Sequence, residues 1–134
     1  MPAKQRERIE LIHGSLIYRD RRLESCDAAA VVEVVEHLDK ARLKSFERVL
    51  FEFARPNTVV LTTPNREYNR MWEAVGPDKL RHQDHRFEWT RSEFREWAED
   101  VAAQHRYGAG FLPIGPVDED LGAPTQMCIF SRDN

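Results

Sequence analysis

Apolar and polar positions alternate over residues 8–13 (R-I-E-L-I-H) and the alternation stops at Gly14, which predicts a strand running into a turn. Residues 18–25 are polar and predict a connection. Residues 28–32 form a short unbroken run of Ala and Val, the pattern of a strand buried on both faces of a parallel sheet. Asp39 is placed to cap a helix over about residues 40–54, with Leu43, Phe46, Val49, Leu50 and Phe53 on one stripe and Arg55-Pro56-Asn57 ending it. Residues 58–62 (T-V-V-L-T) predict a second buried strand, closed by Thr63-Pro64-Asn65. Strand, helix, strand in this order implies a right-handed crossover and a parallel pair, so the class is α/β. Residues 66–89 show no sustained period, and a segment of that length inside a domain is usually functional or holds short helices. Thr90-Arg91-Ser92-Glu93 is a capping box, and Phe94, Trp97, Ala98, Val101 and Ala102 supply the apolar stripe of the helix it opens. Residues 107–114 and 125–130 predict an antiparallel strand pair that finishes the sheet.

The length of 134 residues and a 41 % hydrophobic content suit one domain, or a large part of one, with a real core. A net charge of −3 argues against a strongly basic wrapper of nucleic acid, though not against a local RNA site. Arg66, Arg70, Lys79, Arg81, Arg86 and Arg91 interleave with Tyr68, Trp72, Phe87 and Trp89, a mixture that fits phosphate contact and base stacking. A solvated loop with a few buried aromatics explains it equally well. There is no apolar run of membrane-spanning length and the first ten residues are charged, so no membrane role and a cytoplasmic location are expected. Cys26 and Cys128 are isolated and read as free thiols.

Candidate chemistry gathers at Glu33-Val-Val-Glu36-His37 together with His82-Gln-Asp-His85. If residues 33–37 are helical, or a strand end rolling into a helix, both carboxylates and the imidazole share a face and supply three ligands to one divalent ion. A mixed oxygen and nitrogen set suits Mn, Mg, Fe or Zn, and one histidine from the long loop would complete it with positions left open for catalysis. The bland alternative is a solvated helix face. Residues 33–37 and 62–69 both follow strands, and ligands of open α/β sheets bind beyond the carboxyl ends of strands, so the two segments are expected at one crevice. Ser15 and Ser45 lack the neighbours of a hydrolytic triad, and no phosphate loop is present. Gly108 and Gly110 read as strand or turn glycines. His105 is expected to meet the last carbonyls of its helix.

The segments V-E-V-V-E-H-L from Val32, T-T-P-N-R-E-Y-N from Thr62, D-H-R-F-E-W-T-R from Asp84 and P-T-Q-M from Pro124 resemble the Hen family of small-RNA methyltransferases. The resemblance implies a partial Rossmann-like class I methyltransferase fold, a mostly parallel sheet with a C-terminal antiparallel pair. It implies transfer of a methyl group from S-adenosylmethionine to the 2′-hydroxyl of the 3′-terminal ribose of RNA, with a divalent metal, Mg or Mn. By position the ligands fall on Glu33, Glu36, His37 and His85, which demotes His82. Ser15 and Leu16 match the segment that meets the cofactor adenine, and Asn65, Tyr68 and Asn69 are candidates for holding the terminal nucleotide. The RNA 3′ end is the implied substrate, and an RNA-repair kinase and ligase system the implied partner. The family's first strands and glycine-rich cofactor loop have no counterpart here. Residues 1–134 are therefore expected to be the later part of one domain, cut short at its start, with impaired cofactor binding and apolar faces left uncovered. A metal-dependent hydrolase on the same Glu and His set, or a non-catalytic remnant that binds RNA ends, are the alternatives.

Overall fold

A computed structural model describes residues 14, 15, 17–24, 26–71 and 84–133. The expected first strand, residues 8–13, lies outside them, as do Leu16, Trp72, Lys79, Arg81 and His82. The main elements are β1 (Ala28–Val32), α1 (Lys40–Glu47), β2 (Thr58–Pro64), α2 (Arg91–His105), β3 (Tyr107–Ile114) and β4 (Thr125–Arg132). The four strands form one sheet in the order β1-β2-β4-β3. β1 and β2 are parallel, from Ala28 opposite Thr58 to Val32 opposite Thr62, and β4 is antiparallel to both β2 and β3. The fold is mixed α/β, as expected, and the last strand inserts between β2 and β3.

Both predicted caps are present. The Asp39 carboxylate accepts from the Arg42 N–H at 2.9 Å. Thr90 and Glu93 bond reciprocally, Glu93 N–H to Thr90 Oγ1 and Thr90 N–H to Glu93 Oε1, and so satisfy two amides that the first turn of α2 would leave open.

The first helix departs from expectation. Its α-helical part ends at Glu47, and Arg48–Ala54 continues as a π-helix closed by Arg55, at a φ of 46°, whose N–H donates to the Leu50 carbonyl. Wider turns rotate the buried stripe by one position. Phe51 is completely buried, whereas the expected Leu50 and Phe53 are only partly so.

One core joins Leu43, Phe46 and Phe51 to Val31, Val59, Leu61, Cys128 and Phe130 of the sheet and to Phe94, Ala98, Val101 and Ala102 of α2. Both helical segments thus pack on the same sheet face. The opposite face carries the cross-strand row Val32, Thr62, Met127, Leu112, whose two ends are 60 % and 49 % exposed. β1 is therefore not buried on both faces: only Val31 of its five residues is buried. It lies at the sheet edge, paired among the described residues with β2 alone, and an edge strand with one covered face cannot bury an unbroken apolar run.

Candidate metal centre

The parallel register brings the carboxyl ends of β1 and β2 side by side, and the chain leaves β1 through a sharp turn. The Glu33 N–H donates to the Thr62 carbonyl at 3.1 Å and also lies 3.2 Å from Thr62 Oγ1. Glu33 takes a φ of 55°, in the left-handed region that non-glycine residues seldom occupy. Val35–His37 then forms a single 3-10 turn. The i, i+3, i+4 helix face expected over residues 33–37 is absent, because Glu33 is still turning the corner when the helical winding begins.

Glu36, in the middle of that turn, is completely buried. Its Oε1 accepts the Thr63 hydroxyl at 2.9 Å, while its Oε2 is, among the described residues, the one buried side-chain atom without a hydrogen-bond partner. Its backbone carbonyl accepts the N–H groups of Arg86 and Phe87, at 2.6 and 3.4 Å, which fastens the segment after residue 83 to the strand ends. That segment carries His85. Donor atoms of Glu36, His37 and His85 all lie within 4.8 Å of one another. Two donors bound at about 2.1 Å to one ion are at most about 4.2 Å apart, so a small contraction would close the set on a metal. The imidazoles meet edge to face with centroids 4.7 Å apart, and His37 Nε2 stands 3.7 Å from Glu36 Oε2.

The other nitrogens face acceptors. His37 Nδ1 lies 3.3 Å from both the Asp84 carbonyl and its carboxylate, and His85 Nδ1 lies 2.7 Å from Glu88 Oε2. The second Glu88 oxygen accepts Asn69 Nδ2 at 2.7 Å. Sequence reasoning passed over Asp84, Glu88 and Thr63. The signal for Asp84 and Glu88 was the D-H-R-F-E spacing, which puts one carboxylate directly before His85 and another three residues after it; Thr63 had none.

The buried carboxylates among the described residues are Glu36, Glu47 and Glu88. Glu47 has Trp97 Nε1 at 2.6 Å on one oxygen and Lys44 Nζ at 3.6 Å near the other, and Glu88 has both oxygens bonded. Of these three only Glu36 has an oxygen without a hydrogen-bond partner or a cationic side chain near it, and His37 Nε2 is 3.7 Å away. An unsatisfied buried oxygen costs about 1–3 kcal/mol, and a cation removes that cost. The donor set fits a divalent ion by both criteria, orphaned atom and ligand chemistry.

Other expected site residues lie elsewhere. Glu33 stands outside the three-residue group. Asn65 is buried, its amide donating at 2.8 Å to the carbonyls of Leu121 and Ala123 and its Oδ1 accepting from the Glu67 N–H. Tyr68 and Asn69 are buried too. Ser15 is exposed, with Oγ 3.4 Å from the Ile17 N–H. Phe87 and Trp89 of the basic segment pack against the core, Phe87 on Trp89 at 4.5 Å and Trp89 on Trp97 at 4.9 Å. Arg91 binds both Glu67 oxygens and the Asp120 carbonyl. His105 stacks on Phe51 at 6.0 Å, and it is the backbone carbonyl of His105 that accepts Arg55 Nη1.

No protein-family model matches the chain. It is 36 % identical over 134 residues to the small RNA 2′-O-methyltransferase of Gallus gallus, covering 98 % of this chain and 35 % of that protein. The methyltransferase domain of bacterial CtHen1-C is 52 % identical, with a TM-score of 0.87 over all of this chain and 66 % of the solved one. The chain belongs to the Hen family of small-RNA methyltransferases. It spans about a third of the length of the curated relatives it matches. A chain in the structure of the Pnkp1/Rnl/Hen1 RNA repair complex shares the fold, at 20 % identity and a TM-score of 0.62. Among the described residues no helix is long and apolar enough to cross a membrane.

Proposed function

We propose that residues 1–134 are the later part of a methyltransferase domain that transfers a methyl group from S-adenosylmethionine to the 2′-hydroxyl of the 3′-terminal ribose of RNA. The observation that carries the metal half of this reading is the buried Glu36 carboxylate, whose Oε2 has no hydrogen-bond partner among the described residues and which shares a donor cluster with His37 and His85. Those three residues would hold a divalent ion, Mg or Mn, with Glu33 from the adjoining corner as the fourth ligand. When bound, the ion supplies Lewis acidity that makes a nearby hydroxyl a better nucleophile. The chain's own groups provide the rest. Thr63 fixes the plane of the Glu36 carboxylate, and the Glu36 carbonyl ties down the segment that carries His85. His37, with 38 % of its side chain exposed, opens the site to a substrate, whereas Glu36 and His85 close it from behind.

Asn65 and Asn69 act on the terminal nucleotide indirectly in this reading, by holding the loops that shape its seat, and Tyr68 packs behind them. The resemblance assigns Ser15, with Leu16 beyond the described residues, to the cofactor adenine. The partner is an RNA-repair kinase and ligase system; membership of the Hen family supports it, since the likeness to the repair-complex chain speaks for fold alone.

The test is methyl transfer from labelled S-adenosylmethionine to a short RNA, with and without Mn²⁺. Label in the 3′-terminal ribose, lost on a 2′-deoxy end, supports the proposal. Metal-dependent RNA cleavage without cofactor overturns it, and so does RNA and metal binding without label once S-adenosylmethionine is raised to offset the impaired cofactor binding.

A further inference from the structure

The two imidazoles of the centre are approached from behind by carboxylates of one short segment. We propose that Glu88, held by Asn69, is a positioning residue that fixes the tautomer and ring plane of His85, and that Asp84 does the same for His37. This rests on the metal reading above and deepens it.

The chemistry of the donors decides the proton positions. Asn69 faces Glu88 Oε1 through its Nδ2, which can only donate, and His85 Nδ1 faces Oε2 at 2.7 Å. A carboxylate only accepts, so the ring nitrogen beside it carries the hydrogen. The opposite nitrogen, Nε2, then presents its lone pair, the form a metal takes. The chain Asn69, Glu88, His85 is buried throughout, which leaves the ring little freedom to turn. At His37 both ring nitrogens face a carboxylate, and the shorter contacts decide: Nδ1 has the Asp84 carboxylate and carbonyl at 3.3 Å, whereas Nε2 has Glu36 Oε2 at 3.7 Å. Carboxylates bonded to the far nitrogen of a metal-binding histidine orient the ring and raise its basicity, and their loss typically weakens metal binding about 10- to 100-fold.

Two measurements test this. In the metal-free chain at fixed pH, imidazole ¹⁵N NMR is expected to show His85 protonated at Nδ1 and bare at Nε2; the opposite tautomer overturns the proposal with no metal involved. Mn²⁺ titration by calorimetry is then compared for the parent, Glu88→Gln, Asp84→Asn and Glu47→Gln. Glu88→Gln is expected to weaken Mn²⁺ about 10- to 100-fold, with the smaller loss for Asp84→Asn. Glu47→Gln removes a buried carboxylate that braces Trp97, and it is expected to lower stability while leaving Mn²⁺ affinity unchanged. Should Glu88→Gln not fold, Asn69→Ala loosens the same carboxylate, and the parent tautomer still decides. A parent that binds no Mn²⁺ defeats the metal reading; a parent that binds and a folded Glu88→Gln within twofold of it defeats the positioning role alone.

Discussion

Thr63 donates its hydroxyl to Glu36 Oε1 at 2.9 Å, while the other carboxylate oxygen is buried with no hydrogen-bond partner among the described residues. The two features separate by mutation. Thr63→Val keeps the shape and deletes the donor, so the metal-free chain is expected to lose about 1.5–3 kcal/mol, the worth of a hydrogen bond to a charged group. Glu36→Gln keeps an acceptor for Thr63 and removes the charge beside the orphaned oxygen, so that variant is expected to be at least as stable as the parent without metal. Excess Mn²⁺, at about 100 times its Kd, should add about 2.7 kcal/mol to the parent and nothing to Glu36→Gln. Urea unfolding with and without Mn²⁺ reads both; equal stabilisation of parent and variant would remove Glu36 from the ligand set.

Glu33 sits at a positive φ while its N–H is held by Thr62. A left-handed conformation costs a non-glycine residue about 1–2 kcal/mol, and strain of this kind gathers at functional sites. Glu33→Gly is expected to raise metal-free stability by up to about 1 kcal/mol, once the entropy of glycine is counted. Mn²⁺ affinity should fall at the same time. A variant both less stable and unchanged in affinity would mean that Glu33 is placed by packing rather than by ligand demand.

Local rules explain why much of this was legible beforehand. Asp39 and Thr90-x-x-Glu93 announce their helices because a cap is made within four residues. The strand ends carrying Glu36 and Thr63 follow from the strand, helix, strand order. What escaped depends on contacts between distant segments. Nothing in residues 48–54 distinguishes a π turn from an α turn, and Phe51 is buried only because the wider winding aims it at Tyr107 and Phe130. The edge position of β1 is a property of the sheet, not of its Ala and Val residues. The resemblance makes Asn65 and Asn69 candidates for the terminal nucleotide, but that their amides meet Leu121, Ala123 and Glu88 could not be read locally, because those partners are 19 to 58 positions away.

Gly122 is buried at a φ of 77°, and a Cβ there would come 2.9 Å from Nη1 and 3.0 Å from Cδ of Arg91. That side chain cannot simply swing aside, because Glu67 and the Asp120 carbonyl hold it. Gly122→Ala is expected to cost more than about 1 kcal/mol, from backbone strain together with the displaced guanidinium. Chemical denaturation measures it, and a neutral result would show that the loop rearranges freely.

Cys26 is exposed and Cys128 is buried in the sheet, where burial pushes its thiol up to about 12. Thiolate is the reactive species, so a thiol reagent at pH 8 should modify one site per folded chain and a second only on unfolding. Equal rates at both positions would mean that the core between β2 and β3 opens on the timescale of the reaction.

His105 ends α2 against Phe51, and burial pushes its pKa below the usual 6.5, opposed by the nearby charges of Glu52 and Glu47. Between the lowered folded pKa and 6.5 the unfolded chain binds the proton and the folded chain does not. Stability therefore rises with pH across that window: it is undiminished above 6.5 and is lost progressively as pH falls below it. Glu67 follows a lower window, because its hydrogen bond to Arg91 holds the carboxyl below 4.5 and that contribution is lost only on further acidification. Replacing the imidazole by a ring that cannot titrate, His105→Phe, keeps the stack and leaves the carbonyl that accepts Arg55 in place. Thermal unfolding of the parent is expected to drop more steeply than that of His105→Phe between pH 6.5 and 5, with the two curves parallel above pH 7; identical slopes would locate the acid sensitivity elsewhere.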